Sequence, residues 1–140
     1  MSTLSNVVLK AAGIYSDDTI AHIVERRAEN PGMGLAEAAG KFGGGKEKEF
    51  LAAIGKVLGR DVVNLEERQP SPDAITDTPA SAVYQFNALP LAKDETTLTI
   101  VVGDPFDTKA ADGLRLMSGL RVRTLLAPRE DIEKAIKKYY

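Results

Sequence analysis

Apolar residues return at helical spacing through most of the first half of the chain. Ser16, Asp17 and Asp18 are capping and dipole-favouring types, and Asn30-Pro31-Gly32 is a stop. Between them Ile20, Ile23 and Val24 mark one face, which predicts a helix over 17–30 with a single buried stripe. Leu35, Ala38, Ala39 and Phe42 recur at i, i+3, i+4 and i+7 until Gly43-Gly44-Gly45 interrupts them, so a short second helix ends there. Phe50, Ala53, Ile54, Val57 and Leu58 form the cleanest amphipathic set, closed by Gly59 as a C-cap. Residues 3–12 add a weaker helix that stops at Gly13.

The periodicity then changes. Gln69 to Pro79 holds Pro70, Pro72 and Pro79 with Ser71, Asp73 and Asp77, a composition that reads as a surface connection. Beyond it Leu89-Pro90-Leu91 has the form of an edge strand, Lys93-Asp94-Glu95 of a hairpin turn, and Leu98–Val102 of a β-branched strand with alternating faces. A strand running into a proline-headed helix then occurs twice: Leu98–Val102 into Pro105, and Val122–Leu126 into Pro128. Proline suits a first helical turn because its missing donor would have no helical partner anyway. Asp107 after the first proline, and Glu130 with Asp131 after the second, match the positive end of a helix dipole. Ala110, Leu114 and Met117 would bury one stripe, and Ile132, Ala135, Ile136 and Tyr139 another, with Tyr140 left outside it.

The expected architecture is therefore α+β. A helical subdomain at 1–68 and a Pro-rich connection at 69–78 precede an α/β subdomain at 79–140, whose sheet of about three to four strands carries helices on one side.

Composition narrows the function. The chain has 140 residues, 44% hydrophobic and 27% charged, so it has the means to build a core. Its 18 basic and 20 acidic residues are spread evenly, and Arg26-Arg27 and Lys137-Lys138 are only pairs; a nucleic-acid face built on clustered cations is not expected. The absence of cysteine removes disulfides, thiolate nucleophiles and thiolate metal sites, and suits a reducing cytoplasm. No apolar run approaches the roughly 20 residues of a membrane span, and Met1–Leu9 does not have the form of a secretory signal.

Several strings carry possible chemistry. Gly40-Lys41-Phe42-Gly43-Gly44-Gly45-Lys46-Glu47 has the glycine and lysine spacing of a phosphate-binding loop, but Glu47 stands where a magnesium-binding hydroxyl belongs. A helix-to-helix turn is the better reading. Asp104, in Gly103-Asp104-Pro105, is expected to cap the following helix. His22, the one histidine, lies four residues from both Asp18 and Arg26 and is expected to pair at the solvent face. The carboxylate pairs Asp17-Asp18, Glu66-Glu67 and Glu130-Asp131 fall at helix starts or polar loops. Four tyrosines and four phenylalanines make no stacking platform. The sequence thus assigns no catalytic, cofactor-binding or metal-binding residue, and no cofactor.

From Pro79 onward the order of segments resembles the N-terminal domain of the secretion and pilus-assembly ATPases, the general secretory pathway protein E family and its type IV pilus relatives. The segments are Ala82-Val83-Tyr84, Asn87-Ala88-Leu89-Pro90-Leu91, Leu98 through Asp107, Gly119-Leu120-Arg121-Val122, and Ile132 through Tyr140. Phe50–Ile54 and Leu58–Leu65 are similar to the helical part of that family. The resemblance implies a non-catalytic, cytoplasmic docking and regulatory domain without the motor. Its implied partners are the cytoplasmic part of an inner-membrane platform protein, through which it would sit at that membrane, and its own motor domain.

Some family members bind cyclic di-GMP through an arginine-, glycine- and glutamine-bearing motif. Aligned on Phe50–Val57, this chain has Gly34, Ala36 and Val57 in place of the arginine, a glycine and the glutamine; Gly40 and the apolar framework remain. Valine offers neither donor nor acceptor, so cyclic di-GMP binding is the alternative to docking. Leu51, Leu116 and Leu120 fall off the main stripes and are the candidates for an apolar docking patch.

Overall fold

The computed structural model describes residues 2–106 and 108–140. The dipole role expected of Asp107 lies outside the described residues. Two compact units divide between Asp61 and Val62.

The first unit contains α1 (Ser2–Ala12), α2 (Asp17–Ala28), α3 (Leu35–Phe42) and α4 (Glu47–Leu58). Ser16 caps α2 as its sequence indicates, its side chain accepting from the Thr19 amide at 3.2 Å. Consecutive helices pack on one another and α1 also meets α4, so Leu9, Ile23, Phe50, Leu51 and Ile54 share a fully buried interior. Arg27 ties the unit together, donating to the buried Ser5 hydroxyl at 3.1 Å and to the Met33 carbonyl at 3.1 Å. Two expectations for α4 are corrected. Leu51 is buried, because α4 packs against both α1 and α3 and so hides more than one stripe. Val57 and Leu58, expected in that stripe, are exposed in the last turn before the left-handed cap Gly59.

The second unit holds α5 (Pro72–Asp77), α6 (Ala80–Phe86), β1 (Leu89–Lys93), β2 (Thr97–Val102), α7 (Lys109–Ser118), β3 (Arg121–Leu126) and α8 (Arg129–Tyr139). The sheet order is β1-β2-β3; β2 pairs antiparallel with β1 and parallel with β3, the parallel step crossing over through α7. Pro90 occupies an edge strand, where its missing donor interrupts no central ladder, and the register shifts just after it. Val62 bridges to Leu126, and the Val63 amide donates to the Leu126 carbonyl at 2.8 Å. One core cluster joins Leu89, Leu91, Val101 and Leu125 of the sheet to Val83 of α6 and Ile132, Ala135 and Ile136 of α8.

Four further expectations change. The stretch 69–79 contains helix α5: Ser71 accepts from the Ala74 amide at 3.3 Å, Pro72 opens the helix, and the Ser71 amide donates to the Leu91 carbonyl at 2.9 Å. Leu98–Val102 are buried without interruption, so both faces of the central strand are covered rather than one. Pro105 does not head a helix. Asp104 Oδ1 accepts from the Phe106 amide at 2.8 Å, closing a local turn, and α7 starts four residues after Pro105 with Thr108 at its cap position. Pro128 does precede its helix directly, with Glu130 and Asp131 in the first turn. Finally, Tyr140 packs against the core, and its hydroxyl contacts the Ile75 carbonyl at 3.0 Å and the Thr78 carbonyl at 3.2 Å.

Candidate docking site

The end of α7 is one place where apolar surface is left over, and it holds the most exposed of the large hydrophobic side chains described, Leu116. Ala110 and Leu114 turn inward, and Gly113 allows the Phe86 ring so close that a Cβ there would collide with it. The last turn is fastened locally: the Ser118 hydroxyl donates to the Leu114 carbonyl at 2.7 Å and accepts from the Leu120 amide at 3.2 Å. Gly119, at φ +71°, makes the left-handed reversal into β3, its amide donating to the Arg115 carbonyl at 2.9 Å. The sheet is thinly covered at this end, β3 opening with the exposed Arg121. Leu116, two residues on from the buried Leu114 and so on the opposite face of the helix, is 83% exposed, and Met117 is 55% exposed. Met117 therefore leaves the buried stripe expected of it, in the last turn before the Gly119 cap. Of the three docking candidates, Leu116 is exposed, Leu120 half-buried and Leu51 buried.

Beside Leu120 lies an open depression of about 370 Å³ lined by Asp73, Asp77, Lys93, Asp94 and Glu95. It is brought together by the fold: α5 packs against β1, and the β1–β2 turn is tied to the start of β3 where the Arg121 amide donates to the Thr96 carbonyl at 3.0 Å. Lys93 Nζ pairs with Asp77 at 2.7 Å. Asp94 Oδ1 accepts from the amides of Thr96 and Thr97, both at 2.8 Å, and from the Thr96 hydroxyl at 3.1 Å. These bonds, the Thr96 amide first, hold its carboxyl below the usual range. No sequence pattern announced this cluster, since its members come from an α5 unseen in the sequence and a turn some twenty residues later.

The other singled-out residues do not converge. Gly43–Gly45 form the reversal between α3 and α4, with Gly44 and Gly45 at positive φ and Glu47 as the first helical residue; the string is a helix-to-helix turn. Gly34 stands at the cap position of α3 without a side-chain bond, Ala36 is buried, Gly40 lies against Glu47, and Val57 points to solvent. His22 is exposed with its ring edge-on to Phe42 at 6.0 Å, while Arg26, one of its two expected pairing neighbours, pairs instead with Glu29 at 3.0 Å. Among the described residues no three histidine or carboxylate side chains gather as a metal site, and no helix is long and apolar enough to cross a membrane. Tyr15 is strongly shifted, pushed up to about 12 by burial, with Glu49 and then Glu47 adding to it.

Four helices ahead of a three-stranded mixed sheet flanked by helices is the architecture of the N-terminal domains of secretion and pilus ATPases. A structure of MshE with cdg superposes with a TM-score of 0.79 at 22% identity, covering 96% of this chain and 97% of that one. The N-terminal domain of XpsE gives 0.65 at 24% identity, covering 87% and 96%. Residues 58–140 match the MshEN domain, and the chain belongs to that family. Its curated relatives include the type IV pilus assembly ATPase PilB of Myxococcus xanthus strain DK1622, 24% identical over all of this chain and 25% of PilB. The type II secretion system protein E of Xanthomonas campestris pv. campestris is 25% identical, over 89% of this chain and 22% of that protein. The chain thus spans about a quarter of the length of these relatives.

Proposed function

We propose that this chain is a non-catalytic docking and regulatory domain that joins a secretion or pilus-assembly motor to the cytoplasmic part of an inner-membrane platform protein. The observation that carries the reading is the match of residues 58–140 to the MshEN family within a fold shared with the XpsE N-terminal domain. The exposed Leu116 and Met117 supply what docking needs, an apolar centre that a partner can desolvate. The reading places the domain in the cytoplasm, at the inner membrane through its partner, and assigns it no reaction.

Leu116→Glu tests it. Calorimetric titration with the platform protein's cytoplasmic domain should show affinity falling roughly tenfold or more, the scale of a lost interface anchor. At 83% exposure the side chain adds little to folding, so the melting temperature should hold. Equal affinity for wild type and variant would remove this contact.

Cyclic di-GMP binding stays as the second reading, favoured by the fold likeness to MshE, which was solved with cdg. Against it, Gly34, Ala36 and Val57 bring no polar side chain to the aligned motif. A melting temperature that rises with added cyclic di-GMP would support this reading, and a flat one would dismiss it.

A further inference from the structure

We infer that the exposed end of α7 and the acidic depression beside Leu120 form one docking surface, shaped for a basic segment of a partner protein that carries an apolar face. This rests on the reading that another protein grips the domain, and adds which chemistry does the gripping.

The apolar half is Leu116, Met117 and Leu120, close together in the chain, of which Leu120 lines the depression. The charged half decides the occupant. Of the carboxylates lining the depression, Asp77 is neutralised by Lys93, the cation among the described lining residues. Asp73, Asp94 and Glu95 have no cation opposite them there. Asp94 is directed by three hydrogen bonds from its own turn, so its position is set before any ligand arrives. Of the nearby basic groups, Arg115 is paired with Asp112 at 3.3 Å and Arg121 stands outside the lining. An apolar centre with an acidic rim favours lysine or arginine flanking the incoming apolar side chains and repels an acidic partner.

The test uses the whole chain and two short amphipathic peptides, one of leucine and lysine, the other of leucine and glutamate. Fluorescence anisotropy should show the lysine peptide binding, the glutamate peptide failing, and binding weakening as salt is raised. Asp73→Asn with Glu95→Gln should weaken the lysine peptide roughly tenfold, and Leu116→Ser with Met117→Ser by a similar factor. Glu95→Gln alone, on an exposed turn outside α5, should weaken it in the same direction and covers the case in which Asp73→Asn loosens α5. Equal binding of both peptides, indifference to the charge-removing variants, or self-association through this face would overturn the proposal. The same variants titrated with the platform protein separate the two claims. Platform binding that ignores Glu95 and Asp73 sinks this inference and leaves the docking function standing; charge-dependent peptide binding without any platform binding does the reverse.

Discussion

Tyr15 is half-buried in the helical unit, and its ionisation gives that burial a measurable consequence. The Tyr15 hydroxyl faces the Ala39 carbonyl at 3.5 Å, with its ring 6.3 Å from that of Phe50. Its ionisation is raised from 10.0 to about 12, with burial the largest cause and Glu49 and Glu47 next. The unfolded chain therefore ionises this phenol first, so its contribution to stability is whole below pH 10.0 and is lost as pH rises toward about 12. Tyr15→Phe should flatten that part of the stability profile and remove a late step from the tyrosinate absorbance titration; an unaltered titration would contradict the assignment. Residue-scale reading of the sequence succeeded where a side chain acts on its own neighbours, as with Ser16 capping α2. It failed where the partner is distant. Tyr140, expected outside the core, reaches carbonyls at Ile75 and Thr78, and nothing in a terminal Tyr-Tyr pair points there.

At the scale of elements, helices and strands were legible because their apolar periods were strong, and their ends were legible when a local signal closed them. Gly59 and Gly119 cap α4 and α7 in left-handed geometry. The two proline-headed helices show the limit. Pro128 leads into α8 directly, whereas Pro105 lies in a turn held by the bond from the Phe106 amide to Asp104. That side-chain bond, in place of a helix start, separates two similar strings. Close helix approaches were hidden in the sequence. A Cβ at Gly40 would stand 2.6 Å from Glu47 Cβ, and one at Gly113 would strike the Phe86 ring. Gly40→Ala and Gly113→Ala should each cost about 1–3 kcal/mol in urea unfolding, the usual scale for overpacking. Phe86→Leu should restore part of the loss at 113 and none at 40. Equal stability of wild type and both alanine variants would mean that these helices separate without penalty.

For the whole molecule, the α+β class and the family were both readable from the order of segments, while the proposed docking surface was readable only in part: Leu116 and Leu120 were visible as leftovers, and the acidic depression was not. Fragments probe how the chain is partitioned. One spanning 62–140 keeps α5, the Val63–Leu126 bond and the carbonyls that hold Tyr140; one spanning 79–140 loses the Ser71–Leu91 bond and the buried Ala74 as well. The longer fragment should unfold cooperatively and the shorter at markedly lower denaturant, and equal midpoints would place the start of the sheet unit at 79. The central claim, that this domain exists to be gripped, is tested most directly by mapping amide chemical shifts of the labelled chain as the platform protein's cytoplasmic domain is added. The account predicts changes concentrated at residues 115–121 and 94–95. Saturating platform protein that leaves those amides unmoved would contradict it.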